Sequence, residues 1–257
     1  MKIVITENYE EMSREAARVF LHRYYQEGKP NNLAITGGKT PERMYEILVP
    51  ILQRLPNPDT EFFLFDEIPV KGKQGVTSST MDRLLFNHID HPVVHTLNKE
   101  NYQDYDRYIV QKGGIRFIMM GLGMDGHFCG NLSGTLDSFD EGVRAVKTDL
   151  NERIRDRIAF LSGGEEFREE QYYTYGSKTV MGIPEVCFIV SGKNKAEILK
   201  KVIEGPITTD VPSSVFQKHP NCTFIIDKEA ASLLKYRRDD LNSLTLCDRL
   251  FYILKEA

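Results

Sequence analysis

The sequence has no excess of either charge, no long apolar run and no closely spaced cysteines, and each lack removes a class of protein. Its 257 residues carry 33 Lys and Arg against 37 Asp and Glu, a formal net charge of -4. Non-specific affinity for nucleic acid rests on clustered cations that displace counterions from phosphates, so no nucleic-acid partner is expected. The longest apolar runs, such as Val186-Cys187-Phe188-Ile189-Val190 and Phe117-Ile118-Met119-Met120, fall far short of the ~20 residues that span a bilayer, so no membrane partner is expected either. Cys129, Cys187, Cys222 and Cys247 lie far apart, with no C-x-x-C pair and no metal spacing. A disulfide or zinc scaffold is therefore not expected, and a reducing cytosol fits. The start, Met1-Lys2-Ile3-Val4-Ile5-Thr6-Glu7, lacks the basic beginning, long apolar centre and small-residue cleavage site of a signal peptide, so the expected location is cytoplasmic.

What is present is an alternation of short apolar runs with stretches of helical period, the pattern of strands covered by crossover helices. Met12, Ala16, Val19, Phe20 and Tyr24 recur at helical spacing. Leu33-Ala34-Ile35-Thr36 follows as a strand, then Gly37-Gly38 and a helix from Pro41. Phe62-Phe63-Leu64-Phe65 ends at Asp66-Glu67, ahead of a helical stretch with Met81, Leu84 and Leu85. Ile115 to Met120 runs into a glycine-rich loop, Val186 to Val190 into Ser191-Gly192 and a further helix, and Thr223-Phe224-Ile225-Ile226 into Asp227. The expectation is one α/β domain over 1–257, with a mostly parallel sheet, helices on both faces and a C-terminal helix. Residues 137–171, charged and carrying Gly163-Gly164, have no clean apolar period. They are expected to be an irregular excursion, either a glycine-hinged lid or a solvated loop with a short helix.

In open α/β sheets ligands sit outside the carboxyl ends of the strands, and the polar residues concentrate there. In Thr36-Gly37-Gly38-Lys39-Thr40-Pro41 two glycines let backbone approach an anion, Thr40 is a possible N-cap and Pro41 suits a first helical turn. The helix N-terminus would present free N–H groups to a phosphate; the alternative is an ordinary tight turn. Gly121-Leu122-Gly123-Met124-Asp125-Gly126 matches G-x-G-x-x-G, but Gly130 and Gly134 follow too soon for the continuing helix that a dinucleotide site needs. What remains is Asp125 and His127, either a carboxylate-assisted proton carrier or an Asx-type turn with a structural histidine. Asp66 is the candidate base at a strand end. Its neighbour Glu67 points to the other face, where it could pair with a cation or orient the loop. His88, His91 and His95 invite a metal reading that Pro92 spoils by breaking their helical face, so no metal is expected.

Taken together, Thr36-Gly37-Gly38-Lys39-Thr40-Pro41, Phe65-Asp66-Glu67, Gly121 to His127, Gly192-Lys193-Asn194-Lys195-Ala196, Pro212-Ser213-Ser214 and His219-Pro220-Asn221 resemble the glucosamine-6-phosphate deaminase/isomerase and 6-phosphogluconolactonase family, in order and spacing along nearly the whole chain. The resemblance implies a modified Rossmann-like fold, a 6-phosphosugar substrate and no cofactor. It leaves a homo-oligomer open, since members range from monomers to hexamers. It gives Asp66 the position of the carboxylate that moves a proton between C2 and C1. Asp125 and His127 take the places of the ring-opening pair, and Gly37, Gly38, Thr40 and Lys195 those of phosphate contacts.

The chain also departs from that pattern. Leu132 stands where deaminases carry a glutamate, and Ile68 stands where lactonases carry an arginine. For the arginine that closes on phosphate, Arg168 is the nearest candidate, with Arg153, Arg155 and Arg157 in the same region. Three readings follow: an isomerase that releases ammonia from an amino sugar phosphate, a lactonase in which His127 activates water, and a sugar-phosphate-binding protein without turnover.

Overall fold

Short strands buried along nearly their whole length build the molecule. A computed structural model describes residues 1–235, so the expected C-terminal helix lies outside the described residues. Seven strands form one parallel sheet in the order β1-β10-β9-β6-β2-β3-β5. They are β1 (Lys2–Thr6), β2 (Asn31–Ala34), β3 (Thr60–Phe63), β5 (Val93–His95), β6 (Phe117–Gly121), β9 (Val186–Val190) and β10 (Cys222–Asp227). Successive side chains feed opposite cores. Leu33, Phe117, Met119, Cys187 and Ile189 pack with α1 (Tyr9–Tyr24), α2 (Glu42–Arg54) and α3 (Val76–Leu84). Ala34, Ile118, Met120, Val186 and Phe188 pack on the other side, with α4 (Tyr105–Gln111), α6 (Ser177–Met181) and α7 (Ala196–Glu204). A sheet covered on both faces needs near-continuous apolar strands, which is why the runs were legible.

Strand order reverses between β2 and β6. The chain leaves β2 toward β3 and β5, then returns to place β6 on the other flank. The loops after β2 and β6 therefore part at the switch point and leave a crevice between them.

Several boundaries differ from the sequence reading. β2 begins at Asn31, two residues early, because its asparagines are buried with partners. Asn31 Nδ2 donates to Tyr24 O at 2.9 Å, and Asn32 Nδ2 donates to Gly114 O at 2.7 Å. Thr40 is not the N-cap of α2: Pro41 precedes the first helical residue, and no side chain caps it. Phe65 and Asp66-Glu67 do not continue β3. Asp66–Glu67 is a separate strand, β4, in a second antiparallel sheet of order β4-β8-β7.

That second sheet corrects the irregular segment. Residues 137–171 hold β7 (Arg144–Lys147), α5 (Glu152–Ser162) and the start of β8 (Gln171–Thr174). The helix is capped by Asn151, whose side chain accepts Ile154 N–H at 3.0 Å, and it ends at Gly163 with φ +91°. Its apolar period escaped notice because α5 buries only Ile154, Ile158 and Ser162. The two isoleucines join a satellite cluster with Leu132, Val146 and Tyr172, apart from the main cores.

Candidate active site

The loops after β2 and β6, the start of β4, the turn before α7 and one face of α5 enclose a cleft of about 410 Å³, within the ~300–1,000 Å³ common for small-molecule sites. Gly37, Gly38, Thr40, Asp66, His127 and Lys195 all line it. A larger groove of about 820 Å³ lies at the opposite end of the sheet, around Pro30, Ile115 and Ile183. Its Asp106 is already spent on the Thr179 hydroxyl at 2.6 Å and Val143 N–H at 2.8 Å. Convergent polar chemistry therefore belongs to the smaller cleft.

Asp66 is placed by two sheets. The chain leaves β3, and the backbone of Asp66 pairs with Thr174 of β8. Its side chain faces the cleft and accepts the Thr77 hydroxyl at 2.9 Å. Burial, only partly opposed by the Thr77 bond and reinforced by the charge of Glu67, pushes its carboxyl up to about 7. A carboxylate poised there can take and return a proton at neutral pH. Glu67 points the other way, as alternation along a strand requires. It does not line the cleft but accepts N–H groups at the start of α3.

The segment after β6 folds as a turn rather than a helix, with Gly126 N–H donating to Gly123 O at 3.1 Å. This removes the dinucleotide reading on geometric grounds. His127 Nδ1 lies 2.5 Å from Asp125 Oδ1. The other Asp125 oxygen accepts Arg153 at 2.6 Å and Ser133 N–H at 3.2 Å. Burial works against the Asp125 charge, but the His127 hydrogen bond and charge, with Ser133 N–H, outweigh it and hold the carboxyl well below the usual range. With Nδ1 committed to Asp125, the nitrogen left to serve the cleft is Nε2. Gly123 is required here, since a Cβ would stand 2.0 Å from His127 Nδ1. The turn is braced by Ser213 N–H on Gly126 O at 2.8 Å. Pro212-Ser213-Ser214 thus supports the site from behind, while buried His219 bonds Ile183 O at 2.9 Å and serves packing.

Cations converge from two sides. Lys195 follows the Gly192 turn, which buried Asp227 holds through Gly192 N–H at 3.0 Å. Its ammonium donates to Leu122 O at 2.6 Å, and burial lowers its pKa against the opposing charge of Asp125. From α5, Arg157 and Leu161 line the cleft, and Arg153 reaches Asp125, a spacing of i, i+4 and i+8 along one helix face. Arg157 makes no ion pair or hydrogen bond among the described residues. Arg168 does not line the cleft: its guanidinium is held by Glu165, in the short turn after α5, and by the Thr148 hydroxyl. The first arginine chosen from the sequence is therefore displaced by another from the same region. The missed signal was the helical spacing of residues 153, 157 and 161.

Leu132 and Ile68, the two departures from the resembled pattern, meet in the apolar cluster that seats α5. Leu132 is 5% exposed and cannot relay a proton. Among the described residues Cys129, Cys187 and Cys222 are buried and form no disulfide. No group of His, Cys, Asp and Glu there could hold a metal. His95 instead bonds Glu61 at 2.5 Å and the Tyr108 hydroxyl at 2.7 Å. No helix among the described residues is long and apolar enough to cross a membrane.

Residues 7–225 match the sequence profile of the glucosamine-6-phosphate isomerases/6-phosphogluconolactonase family. The chain is 32% identical to a glucosamine-6-phosphate deaminase of Oceanobacillus iheyensis over 248 residues, covering 92% of this chain and 97% of that one. It is 34% identical to the deaminase of Thermoanaerobacter pseudethanolicus over 247 residues, covering 91% and 95%. Among solved structures, a monomeric glucosamine-6-phosphate deaminase superposes with a TM-score of 0.79 at 28% identity, over 91% of this chain and 100% of that one. The 6-phosphogluconolactonase of Trypanosoma cruzi superposes at 0.69 and 20% identity, over 91% and 97%, a likeness of fold alone.

Proposed function

Since the chain belongs to the glucosamine-6-phosphate isomerase/6-phosphogluconolactonase family, we propose that it is an aldose–ketose isomerase of 6-phosphosugars that converts glucosamine 6-phosphate, or a close amino sugar phosphate, to the ketose phosphate and ammonia. The observation that carries this reading is Asp66, its carboxyl poised at about 7, in the same cleft as an unpaired arginine and His127, whose ring is held from outside the lining by Asp125. The Gly37-Gly38 loop, Lys195 and Arg157 hold the phosphate. His127 Nε2 delivers a proton to the ring oxygen as the sugar opens. Asp66 removes the C2 proton and returns it to C1, which turns the C1 aldehyde into a hydroxyl and the C2 amine into an imine; water then adds to that imine, and ammonia leaves as the C2 ketone forms. Fixing the phosphate turns the proton transfers into steps within one complex.

Hydrolysis of a 6-phosphosugar lactone is the second reading. It is favoured by one observation: among the described residues Asp66 is the sole carboxylate lining the cleft, while Leu132 is apolar and buried in the cluster under α5. His127 and Asp125 would suffice to activate water. The test is to follow ammonia from glucosamine 6-phosphate and, separately, loss of freshly prepared 6-phosphogluconolactone. Ammonia release is expected; lactone loss without it would overturn the isomerase reading.

Arg157→Ala is expected to raise KM for the phosphosugar about 10- to 100-fold, the size of a lost charge-assisted hydrogen bond. Arg168→Ala, whose partners are Glu165 and Thr148, should leave KM within about twofold. Steady-state kinetics of both variants check the assignment; the reverse ranking would remove Arg157 from the phosphate site.

A further inference from the structure

We propose that Thr77, held in place by buried Glu67, is the positioning residue that orients Asp66 and sets the pH at which it works. The proposal rests on Asp66 being the base of the reading above.

The geometry is a closed circuit. Asp66 and Glu67 are neighbours on β4 whose side chains leave on opposite faces. Glu67, 6% exposed, turns into the start of α3. It accepts Thr77 N–H at 2.9 Å and Ser78 N–H at 3.0 Å, and also the Ser78 hydroxyl. These are orphan donors of a first helical turn, and a carboxylate there also meets the positive end of the helix dipole. The helix so anchored presents Thr77, whose hydroxyl returns to Asp66 Oδ1 at 2.9 Å. The carboxylate that leaves the cleft thereby reaches back, through one turn of helix, to the carboxylate that faces it. Gly75 belongs to the same device: a Cβ there would stand 2.3 Å from the Glu67 carboxyl carbon, so the chain can pass over Glu67 only as glycine.

A hydroxyl donating to a carboxylate favours its ionised form, and at Asp66 this bond opposes burial. The other titratable groups around Asp66 are Glu67 behind it, the Cys129 thiol and Tyr172 phenol beside it, and Lys39, His127, Arg157 and Lys195 on the cleft wall. Of the side chains around it, Thr77 is the one that hydrogen-bonds the carboxylate among the described residues. Thr77 acts by tuning and aiming Asp66.

The test is the pH profile of kcat/KM for the parent, Thr77→Val and Thr77→Ser, with Asp66→Asn as control. Thr77→Val is expected to move the acid limb upward by about half to one pH unit, so that activity falls about three- to tenfold near neutrality and recovers at higher pH. Thr77→Ser, which keeps the hydroxyl, restores the parent profile. In a Glu67→Gln background the shift caused by Thr77→Val should shrink, because the helix start no longer holds the hydroxyl in place; the double difference cancels the charge removed at position 67. An unshifted limb in Thr77→Val, or the same shift in both backgrounds, overturns the proposal while Asp66→Asn is inactive. An active Asp66→Asn overturns the base assignment itself.

Discussion

Asp66→Asn should lower kcat by about 10²- to 10⁴-fold, the usual contribution of a general base, with KM little changed because the phosphate contacts remain. The parent rate should climb with pH through about 7, where the Asp66 carboxyl ionises. The variant should show no such limb. The same substitution is expected to stabilise the fold. The folded-state pKa of Asp66 is raised from an ordinary 3.8 to about 7, so its contribution to stability is fully present below 3.8. That contribution is lost as pH rises through about 7. Asparagine escapes this loss. The difference in thermal stability between variant and parent should therefore widen between those two values and level off above them, reaching on the order of a few kcal/mol. Calorimetry across that range, beside steady-state rates, checks both halves. A variant that is inactive but no more stable at alkaline pH would show that the carboxylate pays no burial cost.

His127→Ala is the second large loss, about 10²- to 10³-fold, and Asp125→Asn should approach it. Asp125 accepts from His127 at 2.5 Å; an amide there can present its NH2 to Nδ1 and so hold the ring in the wrong tautomer. The pair of variants also separates the two reactions. An isomerase loses ammonia release in both Asp66→Asn and His127→Ala, since each handles a different proton. A lactonase loses lactone hydrolysis in His127→Ala and Asp125→Asn but keeps it in Asp66→Asn. Full ammonia release by His127→Ala would remove the dyad from the mechanism.

Which parts of the site were legible follows from where its residues sit in the chain. Gly37-Gly38, Asp66, His127 and Lys195 each directly follow an apolar strand or its turn, and parallel strands deliver their loops to one end of the sheet. Arg157 was not singled out because it is brought to the cleft by α5, a helix seated on only a small satellite cluster. The rest of that cluster, Leu132, Val146, Tyr172 and Ile68, lies in other segments, so no local period announced the helix. The roles of Asp66 and Glu67 could not be divided locally either. Alternation says that they face apart, but not that one meets the cleft and the other the start of α3.

The sequence by itself determined the class of the fold, the end of the sheet where polar side chains gather and most of the polar residues that line the cleft there, because strand burial and glycine turns are written in consecutive residues. Tertiary structure decided what depends on contacts between distant segments. It took Arg168 out of the cleft and put Arg157 in, and it made the excursion at 137–171 a strand and a cleft-facing helix. It also joined Asp66 to Thr77 across 11 positions. A pKa near neutrality is such a property: it comes from the groups that burial removes and the donors that packing supplies, and neither is visible in the two letters of Asp66-Glu67.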